Sequence, residues 1–281
     1  MKSFDIITLA PNTHDFPMYR NNIRKFVKYA ANINYVISCN SHERNTNEWY
    51  DIYLDTIKKD IPFCNFIEAD YSEADHWKNC GLNHGVANCK SEYVLFLEPD
   101  LDIDADQLFA NDKLFDYDVI TIPTKELEGY RLWPAFFMTK LELIKKTRLD
   151  FSEGLTHTWN KIIYDQVNNT IKFDKYQPGQ LFHVDNFDKF SNDIVDQTKN
   201  IVFTNMLGVN HFNYTHICWN WNWCRNDEFY KIHKPQRFAD YLKTSLKYNV
   251  LLDDRYIKEC ETYINTITNI HGTIGDMSDG R

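Results

Sequence analysis

Two short runs, Phe4–Ala10 (FDIITLA) and Tyr93–Glu98 (YVLFLE), are apolar almost from end to end, and each stops at a polar or turn-forming segment. A strand that is apolar on both faces needs cover on both. That is the position of a strand inside a parallel sheet with helices on either side. The chain between the two runs supplies more of the same pattern. Pro17–Asn32 is predicted helical, with Ile23, Phe26, Val27 and Ala30 at helical spacing. Asn34–Ser38 (NYVIS) reads as a strand, Asn47–Lys59 as a helix capped by Asn47, Phe63–Glu68 as a strand and Ala74–Cys89 as a helix. A helix at Asp104–Phe109 and a strand at Asp118–Pro123 complete the set. Four strand-helix units in succession place four strand ends along one edge of an α/β sheet, and ligands of open α/β sheets bind at that carboxyl edge.

Beyond residue 130 the pattern changes. Ala135–Thr139 is predicted as a strand, Leu141–Lys146 as a short helix and Thr158–Val167 as another helix. Trp219, Trp221 and Trp223 then stand at alternate positions, which in an extended segment puts three indoles on one face. They either line a groove for a ring-shaped ligand or pack the late segment onto the sheet. The tail from Pro235 reads as helical, with Phe238, Tyr241, Leu242 and Leu246 as its apolar positions. The expected organisation is a main domain over residues 1–186 and a helical, aromatic C-terminal elaboration over residues 187–281 packed on it.

Glycine is scarce, at 9 of 281 residues. No two of the nine form a G-x-G and none precedes a lysine, so the dinucleotide fingerprint and the P-loop are both excluded. Phosphate bound by this chain has to be neutralised in another way. The 31 basic and 40 acidic side chains leave a net charge of −9, the wrong sign for a protein that lives on nucleic acid or on an anionic membrane. No run has the length of a transmembrane segment or the form of a signal peptide, and the seven scattered cysteines contain no C-x-x-C. A soluble, cytoplasmic protein with free thiols is the expectation.

The segment Gly81–Asp102 (GLNHGVANCKSEYVLFLEPDLD) carries the chemistry. Glu98, Asp100 and Asp102 follow at i, i+2 spacing where a buried strand runs out. Carboxylates so close repel one another and resist desolvation unless a cation meets them. A few hard oxygen ligands suit Mg²⁺ or Mn²⁺, with water and phosphate oxygens completing the shell. The bland alternative is a solvated acidic loop that ends in a helix cap at Asp104.

This segment resembles family 2 glycosyltransferases and GT-A fold enzymes generally. Gly81-Leu82-Asn83-His84-Gly85, Glu92-Tyr93, four apolar residues and Glu98-Pro99-Asp100 match the family's run in register. The resemblance covers about residues 3–150. It implies an α/β, GT-A-like, mostly parallel sheet flanked by helices, and a metal-dependent transferase, inverting by default. The donor would be a UDP- or GDP-sugar, the acceptor a glycan or another hydroxyl compound, with no nucleic-acid partner.

Site residues follow from the same resemblance. Ala10, Pro11, Asn12 and Thr13 after strand one, Asn40 after strand two, Asp70 after strand three, Asn83 and Pro99 would contact the nucleotide sugar. Glu98 and Asp100 would hold Mn²⁺ or Mg²⁺, with His183 as the later ligand and His211 and His216 as further candidates. Asp165, on the predicted helix, would be the catalytic base, with Glu153 as its rival. Gly85 would permit close packing of helix on strand.

Three departures mark a divergent sequence. Ser38-Cys39-Asn40 lacks the usual acidic residue, Leu82 stands where the family has arginine, and Glu98 replaces the first aspartate of D-x-D. A nucleotidyltransferase would want a glycine-rich, arginine-containing loop after strand one, and Pro11-Asn12-Thr13-His14 lacks it. A non-catalytic glycan- or nucleotide-binding protein on a decayed transferase scaffold is the other alternative.

Overall fold

The computed structural model describes residues 2–11, 23–39, 55, 58–70, 77–98, 101–126, 129–147, 159–176, 187–209, 211–213, 261–262 and 265–266. The apolar runs become four strands, β1 (Phe4–Pro11), β2 (Asn32–Cys39), β3 (Asn65–Asp70) and β4 (Tyr93–Leu97). They lie side by side in the order β4-β1-β2-β3, and every pairing among them is parallel. Every residue of β4 is buried, as a strand with both faces covered requires.

The cover comes from two sides. Helix α1 (Trp77–Ala87) buries Leu82 and Val86 in a cluster with Ile7, Val36 and Ala69. At Gly85 the approach is so close that an added Cβ would lie 2.6 Å from Ile7 Cγ2. The expectation of a packing glycine there is met. After β4 come the short strand β5 (Leu101–Ile103) and helix α2 (Ala105–Phe109), capped by Asp104, which accepts a bond from the Gln107 N–H. On this opposite face Phe109 stacks on Phe4 and Tyr29 at 4.8 and 4.6 Å between ring centres. Ile23 and Phe26, within the predicted first helix, join the same core.

Strands β6 (Val119–Glu126) and β7 (Gly129–Lys140) extend the sheet beyond β4, and α3 (Leu141–Lys146) follows with the bounds predicted. A hairpin of β8 (Asn160–Asp165) and β9 (Thr170–Lys175) comes next, then α4 (Asp188–Gln197), β10 (Ile201–Phe203) and β11 (His211–Asn213). The main path reads β10-β6-β7-β4-β1-β2-β3, with β7 antiparallel to both neighbours and the other pairs parallel. The α/β class expected from the sequence, a mostly parallel sheet flanked by helices, is the class observed. No described helix is long and apolar enough to cross a membrane.

One prediction is corrected. The segment expected to be helical over Thr158–Val167 contains a β-strand at Asn160–Asp165, paired throughout with β9. Ile162, Ile163 and Tyr164 favour a pleated surface. Asn168-Asn169 then supplies the turn, with Asn169 in the left-handed region at φ 51°. Asp165 therefore closes a strand and does not sit on a helix.

The opposite, amino edge of the sheet is fastened by a buried charge. Asp5, fully buried on β1, accepts bonds from the Lys90 and Ser91 N–H groups at 2.6 and 3.0 Å, from Ser91 Oγ at 2.6 Å and from Asn32 Nδ2 at 2.8 Å. The turn between α1 and β4 is thereby fixed to β1. Burial pushes the Asp5 carboxyl up, and these donors outweigh it, holding it below the ordinary carboxylate value. Beside it the Cys89 thiol is pushed up to about 12, first by burial and then by the Asp5 charge. Among the described residues Cys64, Cys80 and Cys89 form no disulfide.

Candidate active site

Because β1 to β4 are parallel, their carboxyl ends form one edge. The register sets the heights along it: Pro11 is level with Ser38, Cys39 with Asp70, and Ile7 with Phe96. Glu98 follows β4 directly and is half-buried. Its N–H donates to the Ala135 carbonyl of β7 at 2.9 Å, and its carbonyl accepts from the Leu101 N–H at 3.2 Å. The second bond is an i→i+3 closure that begins at Glu98. The acidic residue is thus gripped by its backbone on both sides.

The grip from β7 continues the β4 ladder, whose register runs unbroken from Tyr93 opposite Lys140 to Leu97 opposite Phe136, whereas the other side of β7 carries a break. Thr121 pairs with Phe137 and Pro123 with Leu132, so residues 133–136 of β7 face the single residue Ile122 of β6. Pro123 and Pro134 have no N–H to give a ladder, and such residues collect at bulges. Bulges near functional edges re-aim the chain. Here the bulge lies on the β6 side, beside the Ala135 carbonyl that holds Glu98 in line with the β4 pairing.

At the other end of the edge, Asp70 closes β3 and is exposed. Cys80 of α1 donates to the Asp70 carbonyl at 3.3 Å. One turn further along α1, half-buried Asn83 donates through Nδ2 to Asn79 Oδ1 at 2.9 Å. The first turns of α1 therefore bring Asn79, Cys80 and Asn83 to the end of β3. Leu82 points into the core with Ile7, Val36 and Val86, so the position at which the family carries arginine is apolar packing here. Glu98 and Asp70 lie on strands three places apart, roughly 14 Å across a sheet of ordinary spacing, and the register sets Asp70 three residues, roughly 10 Å, further along the strand direction.

A late segment also reaches this edge. β11 pairs antiparallel with β5, setting His211 opposite Ile103, Phe212 opposite Asp102 and Asn213 opposite Leu101. Sequence reasoning offered His211 as a candidate without any sign of this pairing. A three-residue strand has too little pattern to be read from sequence.

Asp165 lies elsewhere. Its carboxylate accepts bonds from the Val167 and Asn168 N–H groups at 3.0 and 3.1 Å and from Asn168 Nδ2 at 2.7 Å. The Asn168 bonds, its side chain's first, hold the Asp165 carboxyl below the ordinary value. The hairpin tip leans on the β10 end of the sheet, with Tyr164 5.3 Å from Phe203 between ring centres and Asn169 Nδ2 donating to the Met206 carbonyl at 3.5 Å. Pro11, expected just after strand one, is the last residue of β1. Asn12, Thr13, Asn40, Pro99, Asp100, Glu153, His183, His216, Trp219, Trp221 and Trp223 lie outside the described residues. Among the described residues no group of three or more His, Cys, Asp or Glu side chains is gathered as a metal site.

Several solved structures are similar to this chain. A crystal structure of S. aureus TarS, residues 1–349, shares 14% identity over 97% of this chain and 73% of that one, with a TM-score of 0.44. GalNAc-T7, solved with UDP, GalNAc and Mn²⁺, shares 12% identity over 95% of this chain and 58% of that one, with a TM-score of 0.44. Glucosyl-3-phosphoglycerate synthase from Mycobacterium tuberculosis, in complex with phosphoglyceric acid, shares 11% identity over 51% of this chain and 58% of that one, with a TM-score of 0.35. No protein-family model and no curated protein sequence matches the chain. At such identities the roles of the site residues rest on this chain's own geometry.

Proposed function

We propose that the chain is a metal-dependent glycosyltransferase that moves a sugar from a nucleotide diphosphate sugar to a hydroxyl acceptor, a glycan or a similar compound. The observation that carries this reading is the half-buried Glu98 in its closed turn at the carboxyl edge of four parallel strands. Glu98 and Asp100 hold Mn²⁺ or Mg²⁺, and the all-oxygen character of the pair fits such a cation. His183 is the further ligand, and His211, which opens β11 opposite Ile103, is its rival. When bound, the cation stabilises the charge that develops on the departing nucleoside diphosphate.

Asp70 accepts from a ring N–H of the base. Pro11, Asn12, Thr13 and Asn40 line the same side, Asn83 approaches the ribose or diphosphate, and Pro99 contacts the nucleotide sugar. A donor laid across the edge would have its base at β3 and its phosphates at β4. Inversion at the sugar needs a base opposite the leaving group. Asp165 is poorly suited to that task while three donors occupy its oxygens in the hairpin turn, which leaves Glu153 as the better assignment.

A second reading, a binding protein on the same scaffold, is favoured by the burial of Leu82 in place of a phosphate-facing cation. Donor hydrolysis separates the two. With Mn²⁺ present the wild-type chain should release UDP or GDP from the matching sugar nucleotide. Asp100→Ala should slow release by roughly a hundredfold, the scale lost with one electrostatic stabiliser of a transition state. Equal turnover in the variant would remove this turn from the site.

A further inference from the structure

We propose that Thr121 is a positioning residue for Glu98, an inference that rests on the reading of Glu98 as a cation ligand. Thr121 is fully buried on β6, between Ile120 and Ile122, which are also buried. An apolar residue would be the default at such a position, because a buried hydroxyl is costly unless it is bonded. Its bond explains its presence. Thr121 Oγ donates to the Phe136 carbonyl at 2.8 Å, inside the stretch where residues 133–136 have left the regular β6 ladder.

The next carbonyl back along the chain, that of Ala135, accepts the Glu98 N–H at 2.9 Å. The hydroxyl on β6 therefore fastens the peptide adjoining the one that carries Glu98. Without it the buried Phe136 carbonyl loses this donor, and the bulge loses the hydroxyl that fixes it against β6. A shift of the bulge moves Ala135 and draws Glu98 with it. Small divalent cations demand near-ideal oxygen geometry, so a displaced carboxylate is read out as weaker metal binding.

The test is a Mn²⁺ titration of the full chain, followed by calorimetry or the electron paramagnetic resonance of free Mn²⁺, with Tm recorded for each variant. Thr121→Val keeps the branched shape and removes the hydroxyl. It should weaken Mn²⁺ binding by roughly three- to tenfold, the range expected when one buried hydrogen bond is lost. Thr121→Ser keeps the hydroxyl and should bind Mn²⁺ as the wild type does. Ile194→Val, a core trim on α4 far along the chain from the turn, should lower Tm and leave Mn²⁺ affinity unchanged. If Thr121→Val does not fold, Thr121→Ala takes its place with the same expectation.

A hydroxyl-free variant that binds Mn²⁺ like the wild type overturns the positioning role and leaves Glu98 as a ligand. Equal weakening by Thr121→Ser also overturns it. A wild-type chain that binds no Mn²⁺ overturns the reading of Glu98 itself.

Discussion

Asp5 shows how one residue governs the sheet from the edge opposite the site. Its carboxylate is held below the ordinary value by four donors that outweigh the cost of its burial. A carboxyl whose folded value is depressed contributes stability that is present above its unfolded value, about 3.8, and is lost as the pH falls through the lower folded value. Urea unfolding followed from neutral pH down through that window should therefore show stability falling in the wild type and a flatter profile in Asp5→Asn. At neutral pH the variant should be weaker by about 2–3 kcal/mol, the scale of bonds lost to a buried charge. Parallel pH profiles for the two proteins would show that Asp5 does not carry the acid response. None of this was legible in the sequence, where Asp5 is one polar residue in an apolar run. The Gly85 contact was legible, because a glycine inside a predicted amphipathic helix has few other uses than close approach.

Elements were readable where both local preference and burial agreed. β4 and α3 appear with the bounds, or nearly the bounds, that hydrophobic patterning predicts. The helix expected over Thr158–Val167 failed because the pair Ile162 and Ile163 fits helical spacing and a half-buried strand equally well. Asn168-Asn169 was the overlooked turn signal. Of the long β7, with its break at residues 133–136, only Ala135–Thr139 was expected from the sequence. At this scale the geometry makes a prediction about Asp165. Asp165→Asn should lower Tm by loosening the hairpin turn and leave donor turnover unchanged. A collapse of turnover at unchanged Tm and KM would return the role of base to Asp165.

For the whole molecule the central link runs from glycine scarcity to the acidic turn. A chain without a glycine-rich phosphate cradle and with a net charge of −9 repels a diphosphate unless a cation intervenes. The parallel strand order puts Glu98 and Asp70 on one edge, and the β5–β11 pairing brings residues from more than a hundred positions later to the strand that leaves the turn. The sheet and the acidic turn could be read from sequence because both are local. The grip of β7 on Glu98 and the arrival of β11 depend on pairings between distant segments, which no local pattern announces. The most direct measurement is isothermal titration of UDP and GDP into the wild-type chain and Glu98→Ala, each with and without Mn²⁺. Nucleotide binding that requires Mn²⁺ in the wild type and is lost in Glu98→Ala is the predicted result. Binding of equal strength without metal, or binding untouched by Glu98→Ala, would contradict the account.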